Sequence, residues 1–316
     1  MMDNKESANI IEISLVVPCY NEEEAIPAFY DEVVKICVSL NRLFEIIFID
    51  DGSKDNTLII LQNLAKQDNR VHFFSFSRNF GKEAAMLAGM EAALGEYIVT
   101  LDADGQDPPS LIPQMLEAVS SGEFDCAGTR RVNRTGEPPV RSFFARNFYV
   151  FMKQTAEIEI VDGARDFRLM NRKYLNAILT LQEHNRFSKG IFPWIGFKIK
   201  WFEYENIERK KGKTKWSFWK LFLYSIDGII AFSSKPLSIA SVLGIVLFML
   251  SLVFIVFIII RRMIWGDPVD GWASTICIIL FCSGVQLFTT GILGQYVAKI
   301  HTEVKRRPHY IIKEAM

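Results

Sequence analysis

Net charge is missing from this chain: 36 basic and 36 acidic residues cancel over 316 positions. Without a basic excess the protein as a whole does not read as a nucleic-acid binder. Cysteine and histidine are scarce. Cys19, Cys37, Cys126, Cys277 and Cys282 are odd in number and have no paired spacing, which points to buried reduced thiols rather than a disulfide framework or a thiolate metal site. His72, His184, His301 and His309 are scattered, and none stands at metal-ligand spacing. No Gly-X-Gly-X-X-Gly follows the first apolar run, which removes a dinucleotide-binding oxidoreductase. A signal-peptide core is absent too: residues 1–12 are polar and charged, so the N-terminal domain is expected to stay in the cytoplasm.

What the chain does have is uneven. Its first two hundred residues alternate short apolar runs with amphipathic stretches. Residues 13–19, 44–49, 71–76, 97–101 and 124–128 read as buried strands. Between them, Ala25, Phe29, Val33, Ile36 and Leu40 share one helical face, and residues 57–67, 82–94 and 110–120 read as further helices. Gly95 suits the end of the third. Strands alternating with helices imply right-handed crossovers and an α/β fold with a mainly parallel sheet. Ligands bind such sheets outside the carboxyl ends of the strands, where this chain places Asp50, Asp51, Asp102 and Asp104.

The last eighty residues differ. Residues 239–260 and 272–297 are runs of 22 and 26 positions without a charge, each longer than the ~20 needed to cross a bilayer core. The loop between them carries only Arg261 and Arg262, whereas the flanks hold Lys220, Lys235, Lys299, Lys305, Arg306, Arg307 and Lys313. The positive-inside bias then predicts a transmembrane hairpin with both termini cytoplasmic. Residues 217–232 are apolar around most of the helix, with Phe218, Trp219, Phe222 and Tyr224 suited to the headgroup boundary; an interfacial helix is expected there. Gly284, Gly291 and Gly294 permit close helix packing, so a homo-oligomer is expected, a tetramer among the options.

Three segments carry chemistry. In Leu101-Asp102-Ala103-Asp104-Gly105-Gln106-Asp107, two carboxylates two residues apart can share a divalent ion, and Mg²⁺ or Mn²⁺ commonly bridges carboxylate to diphosphate. In Val16-Val17-Pro18-Cys19-Tyr20-Asn21-Glu22-Glu23, Pro18 stops ladder pairing, Tyr20 offers a stacking face, and Asn21 or Glu22 either meets a base or caps the next helix. In residues 49–57, Asp50 and Asp51 end a strand ahead of a tight polar turn.

Together "VVPCYNEEEAI", "IDDGSKDNT", "SRNFGKEAAMLAGM", "LDADGQDPP", "DGARDFRLMNRK" and "ERKKGKTKWSFWKL" resemble, in order and spacing, the family 2 glycosyltransferases of the GT-A fold. With the two apolar runs the layout is similar to the polyprenyl-phosphate glycosyltransferases, including bactoprenol glucosyltransferases and dolichol-phosphate mannose synthases. The resemblance implies a GT-A catalytic domain over residues 1–216, an interfacial helix over 217–235, a transmembrane hairpin over 236–300 and a cytoplasmic basic tail over 301–316. It implies an inverting transfer of a hexose, glucose first, from a UDP-sugar to undecaprenyl phosphate. Pro18, Tyr20, Glu22, Asp50 and Asp102 match nucleotide-sugar positions. Asp102, Asp104 and Gln106 match the Mg²⁺ or Mn²⁺ site. Arg130 and Arg141 match basic positions facing the acceptor phosphate, while Ala145 stands where related synthases can carry a serine. Asp166 matches a carboxylate near the acceptor. A phosphate monoester is already largely dianionic at pH 7 and needs no base, so Asp166 is expected to act by position, ordering Arg168 or a lysine of the basic segment, Lys211 and Lys213 among them. That segment would also attract anionic membrane lipid.

Two other readings lose ground on the sequence. A processive polysaccharide synthase needs more membrane helices and a Gln-X-X-Arg-Trp motif; "QEHNRF" has the wrong spacing and no Trp. A scaffold or flippase would carry charges in its spans, and these hold none.

Overall fold

The computed structural model describes residues 11–132, 161, 163–205, 235–265 and 271–316. Arg141, Lys211, Lys213 and the expected interfacial helix lie outside them.

An eight-stranded sheet forms the frame, in the order β7-β5-β6-β4-β1-β2-β3-β8. Strands β1 (Ile13–Cys19), β2 (Phe44–Asp50), β3 (Val71–Phe76) and β4 (Tyr97–Thr100) run parallel. Every residue of β2 is buried, "FEIIFID" included, because helices cover both faces and leave no side for alternation. On one face α1 (Ile26–Ser39), α2 (Thr57–Gln67) and α4 (Ile112–Ser120) enclose Leu15, Val17, Phe48 and Val99. On the other, α3 (Lys82–Ala92) lies against Val16, Ile47 and Ile49. Each large apolar side chain fully buried this way stabilises the fold by about 1.5–3 kcal/mol. Helix α3 is rich in Ala because it runs close to the strands, and at its one glycine, Gly89, a Cβ would collide with the Val16 side chain.

The parallel pattern breaks at one edge. Strand β5 (Cys126–Arg131) is flanked by β6 (Ala164–Asn171), antiparallel to both β4 and β5, and by β7 (Ile199–Tyr204), parallel to β5. Strand β6 coincides with "ARDFRLMN", so Asp166 sits within a ladder and not at a helix cap. The cap of the following α5 (Arg172–Leu179) is Asn171, whose side chain accepts from Tyr174 N–H. Helix α6 (Ser188–Trp194) then crosses the α3 face.

Two long helices follow, α7 (Lys235–Trp265) and α8 (Trp272–Lys305). Large apolar side chains stand exposed along both, among them Val253 at 68% and Leu287 at 74%. Taken over the described residues alone, no helix is long and apolar enough to cross a membrane; the loop between the two helices, residues 266–270, lies outside that description. Of residues 301–316, the segment expected as a basic tail, the first five finish α8 and the last part comes back to the sheet. Strand β8 (Ile312–Ala315) pairs antiparallel with β3, Gln62 donates to Glu314 at 2.6 Å, and Tyr310 stacks on Phe76 at 4.9 Å between ring centres.

Candidate active site

The carboxyl ends of β1 and β2 meet in register, Pro18 opposite Ile49 and Cys19 opposite Asp50, and the loops beyond them interlock. Asn21 N–H donates to Ser53 Oγ at 2.9 Å and Asn21 Oδ1 accepts from Lys54 N–H at 2.8 Å. Glu22 N–H donates to Thr57 Oγ1 at 2.9 Å. The N-cap position of α1 is Ala25, which makes no side-chain cap bond, and the Glu22 carbonyl accepts from Ala25 N–H and Ile26 N–H at the start of the helix. Tyr20 and Glu22 remain half-buried at the rim.

Asp50 and Asp51 lie beneath. Asp50, 1% exposed, accepts from Ser53 N–H at 3.0 Å and from Ser75 Oγ at 2.7 Å. Asp51 accepts from Phe80 N–H at 2.6 Å and Gly81 N–H at 2.9 Å. Burial raises the Asp51 pKa to about 6, partly offset by those two N–H groups. Gly52 turns at φ +66°, and a Cβ there would meet the Arg78 carbonyl carbon at 2.5 Å, so only glycine fits the turn.

The next carboxylates have a different kind of partner. Asp102 follows β4 and Asp166 lies on the neighbouring β6. The ammonium of Lys82, first residue of α3, stands 2.7 Å from Asp102 Oδ1 and 2.6 Å from Asp166 Oδ2. Burial works against the Lys82 charge, but Asp102 and Asp166 outweigh it and hold its pKa above the ordinary lysine value. Burial would likewise raise the pKa of Asp166. Lys82, then Lys189 and Arg165, reverse this and hold the carboxyl well below the usual carboxylate range. Arg165 reaches Asp102 at 3.9 Å and donates to Asp107 at 3.0 Å, and Tyr204 OH donates to the same Asp107 oxygen at 2.5 Å. Glu83, beside Lys82, accepts from Ser188 N–H at 3.1 Å and from its hydroxyl. Burial and the Asp166 charge raise its pKa.

Asp104 and Gln106 continue the loop. Asp104 Oδ1 accepts from Gln106 N–H at 3.0 Å, and Gln106 Oε1 accepts from Arg131 at 3.1 Å. Among the described residues no group of three or more His, Cys, Asp or Glu converges as a metal cage. The donor set of Asp102 and Asp104 still suits Mg²⁺ or Mn²⁺, which take one or two carboxylates and complete their shells with water and substrate phosphate. Lys82 on Asp102 and Arg131 on Gln106 are the outer partners that orient such ligands.

The basic residues assigned to the acceptor fare unevenly. Arg130 is half-exposed and paired with Glu203 on β7; its strand neighbour Arg131, on the opposite face, is the one that reaches the Asp104 loop. Arg168 is 1% exposed, with its guanidinium 4.4 Å from the Phe192 ring centre and 5.1 Å from that of Trp201. It is thus packed inside the domain. The sequence reasoning left out Lys82, Glu83, Asp107, Arg131, Arg165 and Lys189. One signal was available for Lys82: a cation in the first turn of a helix opposes the helix dipole and asks for a compensating anion.

The mainly parallel sheet with cation-bridged carboxylates at its carboxyl edge is a GT-A-like α/β frame, and the family match identifies it as that of a glycosyltransferase. The profile described as "Glycosyl transferase family 2" matches residues 14–179, and the chain belongs to that family of glycosyltransferases. It is 43% identical over 303 residues to CsbB of Bacillus subtilis (strain 168), a glycosyltransferase by name alone, covering 96% of this chain and 92% of that one. It is 40% identical over 305 residues to the SfII prophage-derived bactoprenol glucosyl transferase of Shigella flexneri, covering 96% and 98%. Among solved structures, glucosyl-3-phosphoglycerate synthase from Mycobacterium tuberculosis with Mn²⁺, UDP-glucose and phosphoglyceric acid is 20% identical at a TM-score of 0.45, covering 70% of this chain and 78% of that one.

Proposed function

We propose that this glycosyltransferase moves a hexose, glucose first, from a UDP-sugar onto a polyprenyl phosphate, undecaprenyl phosphate first, at the cytoplasmic face of a membrane. The observation that carries this reading is the Lys82 bridge, which ties the donor-side carboxylate Asp102 to the acceptor-side carboxylate Asp166. The Shigella relative's name supplies the lipid carrier and the glucose.

The reaction is a single displacement with inversion. A phosphate oxygen of the acceptor attacks the anomeric carbon while the bond from that carbon to the UDP β-phosphate oxygen breaks, and UDP leaves as the anion. Asp102 and Asp104, with Gln106 at the margin, would hold a divalent ion, which would supply positive charge to neutralise the departing diphosphate. Pro18, Tyr20, Glu22 and the buried Asp50 frame the nucleoside. Asp166 stays ionised beside Lys82 and Lys189, so it orients cations around the acceptor and does not shuttle a proton. Arg130 and Arg141, with Lys211 and Lys213 before the membrane, gather the acceptor phosphate; Arg168 acts from within, as a buried support of β6.

Helices α7 and α8 are read as the membrane hairpin, with spans at 239–260 and 272–297. The uncharged runs support this, as do their exposed apolar side chains. The pairing of β8 with β3 supports reading the far flank of α8 as cytoplasmic, like the near one. Assembly as a homo-oligomer belongs to the same reading.

One assay tests the function. Purified protein with undecaprenyl phosphate is offered a panel of nucleotide-sugars, and the glycolipid is identified by mass. A monohexosyl lipid from UDP-glucose is expected; a polymer, or no lipid product from any UDP-hexose, would overturn the reading. Topology has its own check. A cysteine replacing Asp270 should react with an impermeant thiol reagent in intact cells and one replacing Asn4 should not; the reverse pattern overturns the orientation.

A further inference from the structure

We propose that Glu303, near the end of α8, is a positioning residue for the acceptor side of the active site, an inference that rests on the reaction proposed above. Its carboxylate accepts from His184 N–H at 3.0 Å, Asn185 N–H at 3.1 Å and the Asn185 side-chain amide at 3.2 Å. Lys299, four residues earlier on the same helix face, donates to Asn185 Oδ1 at 3.3 Å. Two consecutive backbone N–H groups turned onto one carboxylate are an anion-holding arrangement, with charge-assisted bonds stronger than a neutral pair. Burial opposes the Glu303 charge, but the His184 and Asn185 N–H groups outweigh it and lower its pKa.

The gripped loop leads straight to the site. Arg186 donates to Leu181 O at 2.6 Å and closes the loop on itself. Ser188, three residues after Asn185, is bound by Glu83, the neighbour of Lys82. Lys189 is among the charges that depress Asp166. Three residues reach at most about 10 Å when extended, so Asn185 fixed on α8 and Ser188 fixed on α3 leave this stretch little room. The far end of α3 is held from the same segment, where Tyr310 OH donates to Glu91. Residues 299–316 therefore grip the domain at the loop that presents Lys189 and at the helix that presents Lys82. A surface carboxylate on a long apolar helix thereby becomes part of the geometry around Asp166, and it registers that carboxylate to α8.

The test uses the full-length enzyme with Glu303→Ala, Glu303→Gln and, as a control at another contact of the same segment, Gln62→Ala, which removes the α2 partner of Glu314. Amide hydrogen exchange is followed over residues 181–190, UDP affinity by calorimetry, and kcat and KM with undecaprenyl phosphate. In Glu303→Ala, exchange should speed at His184 and Asn185 and on through Lys189. Its kcat should fall roughly tenfold, since small misplacements of catalytic groups are costly, while UDP affinity stays within about twofold. Glu303→Gln, which keeps an accepting oxygen, should recover part of both, and Gln62→Ala should change neither. Faster exchange confined to His184 and Asn185 would overturn the proposal whatever the acceptor, because the loop would then not reach the site. So would unchanged kcat with faster exchange, or UDP affinity falling together with kcat. Wild-type protein that fails to glycosylate undecaprenyl phosphate would sink the proposed reaction instead, and the exchange result would still decide the positioning role.

Discussion

The carboxylates after β2 and those after β4 and on β6 occupy equivalent edges of one sheet, yet they keep different company. Asp50 and Asp51 accept from hydroxyl and backbone N–H groups, which are neutral donors that fix loops. Asp102 and Asp166 are held by an ammonium, with guanidinium groups nearby. Neutral donors satisfy a buried carboxylate without adding charge to the site. Cationic partners keep it ionised and offset its charge. The type of partner, more than the aspartate itself, separates the frame from the chemistry.

That contrast is sharpest at the metal loop. Asp104→Ala should leave the protein folded and lower turnover by about 10²–10³-fold, in line with loss of one stabiliser of transition-state charge, and chelation should do the same to wild type. Full activity in excess chelator would remove the metal from the mechanism. Lys82→Met comes next, with a loss of roughly 10²-fold, because Asp102 and Asp166 would then face each other unbridged. Lys82→Arg should keep part of the rate. Equal activity in both variants would show the bridge to be a packing contact.

A smaller effect is expected from Asp166→Asn. Its depressed pKa means that the carboxylate is fully ionised above the unfolded value of ~3.9, and its pairing weakens only as pH falls below that. Asp166 itself stays ionised from pH 7 to pH 9, so the loss should stay below about tenfold and run flat with pH. A loss of ~10²–10⁴-fold that recovers at alkaline pH is the signature of a general base, and would reverse the assignment.

The smallest effect lies in the frame. Asp51 has its pKa raised to about 6 by burial, so its contribution is fully present below the unfolded value near 4 and is lost as pH rises through about 6. Between pH 5 and pH 7 wild type should lose more Tm than Asp51→Asn does, at about 2–4 °C for each kcal/mol. A greater loss in the variant would mean that the two N–H bonds, not burial, govern this carboxylate.

Much of the frame was legible in the sequence. β1 to β4 are continuous apolar runs, and helices covering both faces leave such runs nowhere else to go. β6 escaped because "ARDFRLMN" alternates charge with apolar residues and Arg168 sits at a buried position, where aromatic rings shelter it. β8 escaped because "IKEA" gains its order from β3, far away in the chain. The third helix ends at Ala92, short of the expected Leu94, since Ala93 is already extended and Gly95 is packed against the Ser14 backbone. Asp102, Asp104 and Asp166 could be named from motif spacing, but their partners could not: Lys82 meets Asp166 across 84 positions and Glu83 meets Ser188 across 105, separations that carry no local pattern.

The pairing of β8 with β3 also fixes an order of events during synthesis. β3 ends at Phe76 and its partner begins at Ile312, so at about 5–20 residues per second the ribosome needs roughly 10 to 50 s to supply it. Until then one margin of the sheet presents unpaired N–H and C=O groups, the kind of surface on which nascent chains stick to one another. The margin closes only after both long helices have been made, so the sheet is sealed last by the segment that follows them. A ribosome halted between the two helices would release a chain that holds Lys82, Asp102 and Asp166 but lacks the Glu303 contact, with its sheet still open.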